Sequence, residues 1–336
     1  MKPDTSKYHT VQKSYSLAAA FGPEFPDNKH VTGFEPSNCR FVPRPDAYFR
    51  WDRTLLRDLI IWWEEGRTSD AALLFGPTGS GKSSGIRNFC AALHIPMYGK
   101  TLHQSVEFEE LVSVVDLNDF STVTSYSYLP LAMGAEGWPG IFVANELDRA
   151  DPGTIIGLNE VLEGQPLMVH LGGLEPVDPA PQFRIVATGN SALCGDTVGS
   201  YVSVREQDMA LADRYWTYYV PYPEPAFEEH ILAAAAPKLP PLLRTKMIEV
   251  ANDIRAAFMG ESASAGALPL TMSTRSLVRW ARMTYYFRGA ESASVNVVGY
   301  ALDRALLHRA KGKPEVRKAV LKIVKGRMGD SVGALE

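Results

Sequence analysis

Cysteine is scarce: the 336 residues contain three, Cys39, Cys90 and Cys194. They are odd in number, far apart and form no C-x-x-C pair, so they suggest neither a disulfide framework nor a zinc site. Cys90 falls in an apolar helical pattern and reads as a small core residue. No His/Cys cluster has ligand spacing, so a porphyrin or metal site of the chain's own is not expected. Long apolar runs are missing too. No stretch approaches the ~18 residues a membrane-spanning helix needs, and Ser16–Gly22 (SLAAAFG) is too short for a signal-peptide core. The chain is therefore expected in the cytoplasm, away from membranes. Strong charge of one sign is also lacking: 34 Lys and Arg stand against 38 Asp and Glu, a net charge of −4. The whole molecule thus has little attraction for nucleic acid or anionic lipid. From Arg275 to Arg327, however, only Glu291, Asp303 and Glu315 oppose a basic excess, the pattern of a solvated helical face. There is no internal repeat or low-complexity tract.

What is present is an ordinary globular composition, 46% apolar and 21% charged. Residues 1–45 are rich in Pro, Ser, Asn and charge without a sustained period, and read as an extended arm or partly ordered extension. From Trp51 the apolar positions Leu55, Leu56, Leu59, Ile60 and Trp63 recur at helical spacing until Gly66. Strand and helix signals then alternate. Strands are expected at 71–75, 96–98, 140–144, 183–188 and 216–220, with a helix from Lys82 to about Leu93. This order implies an α/β domain over residues 46–222, a parallel sheet sandwiched by helices. A hairpin with a central Gly-Gly is expected at 167–177, inserted before Pro179 and Pro181. After Pro221, Pro223 and Pro225 the pattern turns wholly helical, with helices expected at 227–236, 242–258, 274–287, 294–308 and 314–325. Residues 223–336 therefore read as a small all-α domain.

Gly76-Pro77-Thr78-Gly79-Ser80-Gly81-Lys82-Ser83 fits G-x-x-x-x-G-K-[ST] without a mismatch, between an apolar strand and a helix that continues through Ser84. Glycines let successive backbone N–H groups turn inward around phosphate oxygens, and the helix N-terminus adds positive potential. Lys82 is expected on the β- and γ-phosphates and Ser83 on Mg²⁺. No Asn/Thr-Lys-x-Asp motif for reading guanine is present, so the nucleotide is expected to be ATP.

Ile141–Asp148 (IFVANELD) is an apolar strand ending in polar residues, as in a Walker B segment. Asp-Glu normally follows the last apolar position. The Asp helps to hold hydrated Mg²⁺ and the Glu polarises the attacking water. Here Asn145 replaces the Asp and Glu146 is intact. Asn145 can still accept a hydrogen bond near the metal but brings no negative charge. Asp148 has two readings, partial substitute for the missing carboxylate or cap of the helix ahead of Pro152.

The ordered set GPTGSGKS, VANELDRADPGTIIGLNEVLEG, FRIVATGN, ADRYW and TMSTRSLVRWAR resembles the MoxR-type AAA+ ATPases. Within them it resembles the branch of the small ATPase subunit of aerobic cobaltochelatase (CobS-like) and its plasmid- and phage-borne relatives. Gly195–Tyr201 (GDTVGSY) is similar to a stretch typical of that branch, and the likeness spans roughly residues 45–290. The resemblance implies that Asn190 is the sensor 1 residue, orienting the attacking water. It also implies that Arg214 is an arginine finger acting on ATP held by the neighbouring subunit, and that Arg275 is the sensor 2 residue of a helical lid. Family members often have Pro where Thr274 stands. A guanidinium suits both arginine roles because it stays charged and grips phosphate oxygens with several donors. A finger supplied in trans implies a homo-oligomeric ring, usually a hexamer, and the family suggests a partner with a von Willebrand factor A domain.

Three functions stay open at the level of sequence. One is an ATP-driven remodelling or chelatase motor. Another is a nucleic-acid motor using the basic C-terminal helices, through Arg279, Arg282, Arg288, Lys311, Lys313, Arg317, Lys318, Lys322 and Lys325. The third, favoured by Asn145, is an ATP-gated scaffold with little turnover.

Overall fold

A computed structural model describes residues 7–118, 121–193, 195, 209–260, 268–290 and 296–329. Cys194, Glu291 and residues 196–201 of the GDTVGSY stretch lie outside the described residues. The chain divides into two compact units, one running to Pro77 and then over Lys82–Val220, the other made of Thr78–Gly81 with the chain from Pro221 onward.

The first unit begins with a hairpin, β1 (Gln12–Ser16) antiparallel to β2 (His30–Phe34), with helix α1 (Leu17–Phe21) between them. Helix α2 (Arg53–Glu65), capped by Asp52, follows, then β3 (Ala71–Phe75), α3 (Lys82–Ala92) and β4 (Met97–Thr101). A short helix α4 (Phe108–Val112) leads into a ribbon, β5 (Ser113–Asn118) antiparallel to β6 (Ser121–Tyr126), and then α5 (Tyr128–Met133). After β7 (Ile141–Asn145) come α6 (Pro152–Gly157), α7 (Asn159–Leu162) and the hairpin β8 (Leu167–His170) with β9 (Leu174–Val177). β10 (Arg184–Gly189), α8 (Met209–Ala212) and β11 (Tyr215–Tyr219) complete the unit.

Five strands form one parallel sheet in the order β11-β3-β10-β7-β4. Alternation along the strands explains why their sequences are apolar without a period of two. Ala71, Leu73, Phe142, Ala144, Ile185 and Ala187 enter one core, beneath α5, α6 and the β8–β9 hairpin. Ala72, Leu74, Ile141, Val143 and Val186 enter another, beneath α2 and α3. A sheet covered on both faces needs apolar residues at every position. Its carboxyl edge carries the ends of β3, β7 and β10 side by side, where open α/β sheets place their ligands.

Of the segment read as an extended arm or partly ordered extension, the described part, residues 7–45, packs on the first unit. Phe21, Val31 and Phe34 are buried against Trp62, Trp63 and Phe89. Trp63 Nε1 donates to Thr32 O at 2.7 Å and Phe34 N to Leu93 O at 2.8 Å. Three aromatic or aliphatic anchors hold the segment, too few to show a period in the sequence.

The second unit is helical: α9 (Pro225–Ala235), α10 (Pro241–Phe258), α11 (Thr274–Phe287), α12 (Val297–Ala305) and α13 (Pro314–Met328). Proline opens α9, α10 and α13, where a missing N–H costs nothing, and Ser273 caps α11 by accepting from Ser276 N. The helices close on a core containing Met247, Ile254, Leu277, Trp280, Leu302 and Val320. Within it lies a buried ion pair. Arg255 donates from Nη2 and Nη1 to the two oxygens of Glu228 at 2.7 and 2.8 Å. Its Nε reaches Met272 O at 2.7 Å, and its guanidinium lies 4.3 Å from the centre of the Tyr222 ring.

Candidate active site

β3 delivers the chain into the glycine loop, and α3 begins at Lys82. Gly76 has φ +142° and Gly81 φ +111°, angles that L side chains rarely adopt. At Gly76 a Cβ would also run into the carbonyl of Val220, whereas at Gly81 it would meet nothing within 4 Å. Crowding and backbone angle both require glycine at the first position; at the second the angle alone does. Gly79, between them, is left-handed as well, at φ +72°. Lys82 is buried, and its ammonium donates to Gly76 O at 2.7 Å and Pro77 O at 2.9 Å. The charge is thus held inside the loop's own curve. Ser80 Oγ is buried and has no hydrogen-bond partner among the described residues. Thr78, Ser83 and Ser84 are exposed, and Ser84 O accepts from Asn88 Nδ2 at 2.9 Å.

The ends of β7 and β10 supply the next groups. Ser83 Oγ donates to Asn145 Oδ1 at 3.1 Å, and Thr188 Oγ1 donates to the same oxygen at 3.4 Å. Thr188 Oγ1 in turn accepts from Glu146 N at 3.2 Å. A chain of hydrogen bonds thereby joins the loop serine to both strand ends. Glu146 stands at φ +59°, ψ 43°, in the left-handed region, where a non-glycine residue is held only by its surroundings. Its Oε2 accepts from Arg149 Nη1 at 2.9 Å, a half-exposed pair worth about 1 kcal/mol at most.

Asp148 does not cap the helix ahead of Pro152. It is fully buried, at 0% exposure, and its Oδ2 accepts from Asn190 N at 2.6 Å and Ser191 N at 3.2 Å. The helix after it is capped instead by Asp151, which accepts from Gly153 N at 2.9 Å. Burial pushes the Asp148 carboxyl up from the ordinary carboxylate range, against the two backbone N–H groups that pull it down.

Residues 71–214 match the AAA domain (dynein-related subfamily), and residues 228–326 match the CbbQ/NirQ/NorQ C-terminal family. The aerobic cobaltochelatase subunit CobS of Sinorhizobium sp is 28% identical over 261 residues, 74% of this chain and 74% of that protein. The uncharacterised protein YojN of Bacillus subtilis is 23% identical over 210 residues, 62% of this chain and 65% of that protein. A point mutant of Thermotoga maritima RuvB superposes with a TM-score of 0.49 at 12% identity, over 87% of this chain and 76% of that one.

The chain carries an AAA+ ATPase domain and is similar to the MoxR/CobS-like proteins.

In this ATPase Lys82, Ser83, Asn145 and Glu146 are thus brought together, with Asn190 anchored beside them through its backbone. Arg214 is bonded to residues outside that group. Its Nη2 donates to Glu163 Oε1 at 2.7 Å and its Nη1 to Ala210 O at 2.6 Å. Arg275 is exposed in the first turn of α11, in the helical unit. Beside it Thr274 donates to Glu228 Oε1 at 3.0 Å, a bond that a proline there would lack. Sequence reasoning missed Thr188 and Arg149. Thr188 lies within the quoted VATGN strand, and Arg149 is three residues from Glu146, so spacing could have marked both.

Proposed function

We propose that this ATPase works as a cytoplasmic homo-oligomeric ring, of six subunits by family likeness, that hydrolyses ATP to move or remodel a partner protein. The observation that carries the catalytic part is the continuous hydrogen-bonded set Ser83–Asn145–Thr188–Glu146 at the carboxyl edge of the sheet. The left-handed glycine loop and the buried Ser80 hydroxyl fit a triphosphate. The oxygens of Ser83 and Asn145 fit a hard divalent cation. Mg²⁺ held there would neutralise charge on the β- and γ-phosphates.

The remaining roles fall to the chain's own side chains. Lys82 would exchange its two loop carbonyls for β- and γ-phosphate oxygens. Ser83 donates its hydrogen to Asn145, which leaves its lone pairs for the cation. Asn145 keeps the acceptor function of the usual aspartate without the charge. Glu146 would orient and polarise the water that attacks the γ-phosphorus, with Asn190 fixing that water from the neighbouring strand. ADP and phosphate are the products. Arg214, bonded to Glu163 outside this group, is suited to serve the site of the next subunit, and Arg275 the γ-phosphate from the lid.

A partner protein is favoured by apolar residues left exposed on two ribbons. Leu117 is 86% and Val115 61% exposed on β5, and Leu174 is 56% exposed on β9. The family points to a partner with a von Willebrand factor A domain. The nucleic-acid reading is weakened at some of its nine basic residues, which are engaged within the helical unit. Arg317 donates to Asp303 at 2.6 Å and Arg288 lies over the Tyr285 ring at 3.9 Å.

Steady-state phosphate release with ATP and Mg²⁺, followed across protein concentration beside Glu146→Gln, tests the proposal. Cooperative turnover that vanishes in the variant is expected. Nucleotide binding without turnover would replace the motor by an ATP-gated scaffold.

A further inference from the structure

We infer that Asp148 is a positioning residue for hydrolysis, a buried clamp that sets Asn190 against Glu146. The inference rests on the reading that Glu146 and Asn190 act on the attacking water. Asp148 shares a tight turn with Glu146: Arg149 N donates to Glu146 O at 2.9 Å and Ala150 N to Leu147 O at 3.1 Å. From that turn its carboxylate crosses to the end of β10 and takes the backbone N–H groups of Asn190 and Ser191 together. Two adjacent N–H groups bound to one oxygen fix the backbone angles at the strand's exit, and therefore the direction in which the Asn190 side chain leaves.

The seat for this carboxylate is cut into the neighbouring strand. A Cβ on Gly189 would lie 3.3 Å from both Cγ and Oδ2 of Asp148, tighter than ordinary contact. The opposite bridge, from Glu146 N to Thr188 Oγ1, ties the same two strand ends a second time. The side chain is fully buried, and its Oδ1 has no hydrogen-bond partner among the described residues. An unmet buried carboxylate oxygen opposes folding. A small apolar residue would avoid that cost but would leave two N–H groups at the strand exit free to turn. The carboxylate's contribution is therefore orientation rather than stability.

The test is kinetic and uses the full chain. Asp148→Asn, Asn190→Ala and the double variant are compared in kcat and KM for ATP, in binding of a fluorescent ATP analogue, and in thermal melting. Loss of orientation at this range costs about 10- to 100-fold. Asp148→Asn is expected to lose that much in kcat, with analogue binding within about twofold of the parent. In the Asn190→Ala background the same substitution should cost little more, because its effect passes through Asn190. An unimpaired Asp148→Asn, or losses that multiply in the double variant, overturns the clamp while leaving Asn190 in its role. A silent Asn190→Ala overturns the underlying reading, and the clamp falls with it. If Asp148→Asn does not fold, Gly189→Ala presses on the same carboxylate from β10. It should lower kcat in the parent and not in Asn190→Ala; equal losses in both reject the clamp.

Discussion

Ser83 gives its hydroxyl hydrogen to the side-chain oxygen of Asn145 at 3.1 Å, across 62 residues of sequence. This bond shows what the asparagine keeps and what it loses. The acceptor remains in place, so the serine oxygen stays oriented, but the carboxylate charge that would attract a divalent cation is gone. Hydrolysis is expected to survive with a weaker hold on Mg²⁺. Asn145→Asp should therefore tighten the apparent Mg²⁺ affinity by roughly tenfold, about 1.4 kcal/mol. Titration of phosphate release against Mg²⁺ reads this directly. Superimposable curves for the two proteins would reject it.

Arg214 gives a second prediction, about assembly. Its guanidinium is bonded to Glu163 and Ala210 of its own subunit, and neither belongs to the Ser83–Asn145–Glu146 group. If it completes a neighbour's site, Arg214→Ala should lower kcat about 10³-fold, the range of an arginine finger. Glu146→Gln should be inactive too. Mixing the two should restore part of the activity, because an intact Glu146 then faces an intact Arg214 across one interface. Co-assembled rings that remain inactive would place Arg214 outside the chemistry.

Much of this was legible in the sequence, for identifiable reasons. The central strands β3, β7 and β10 are marked by apolar runs, since both of their faces are covered, the edge strand β11 by aromatic and β-branched residues, and the glycine loop by residue types that only such a loop requires. The helix over Thr274–Phe287 follows from Ser273 as cap and a stripe that buries Leu277, Trp280 and Ala281. What escaped had no periodic signature. The N-terminal hairpin is held by Phe21, Val31 and Phe34, far apart in sequence and separated by polar residues. The β5–β6 ribbon is exposed on both faces, so no alternation marks it. Asp148 was misread because local spacing suggests a cap, while its actual partners, Asn190 and Ser191, lie 42 and 43 residues away.

The helical unit should be sensitive at Glu228. Its carboxylate is fully buried and accepts both Nη atoms of Arg255 together with the hydroxyl of Thr274. Glu228→Ala leaves a buried guanidinium without its counter-charge, which typically costs about 3–5 kcal/mol. Urea unfolding followed by the fluorescence of Trp280, buried in the same unit, measures the loss. A change below about 1 kcal/mol would mean that Arg255 reaches solvent or another anion once Glu228 is gone.

Asp148 gives a pH dependence whose sign is set by burial. Its folded-state pKa is raised by desolvation, whereas in the unfolded chain it returns to the ordinary value of about 3.9. Between those two values the folded state binds the proton more readily than the unfolded state does. The group's contribution to stability is therefore complete below the unfolded pKa and is lost as pH rises through the folded pKa. Above that range the ionised, buried carboxylate works against the fold. Asp148→Asn cannot ionise, so it lacks this decline. Urea-unfolding free energies of the two proteins, taken from about pH 4 to 7, should move in favour of the variant as pH rises and then run parallel. A difference that stays flat across the range, or moves in favour of the parent, would show that Asp148 is ionised in the fold without penalty, held by the N–H groups of Asn190 and Ser191.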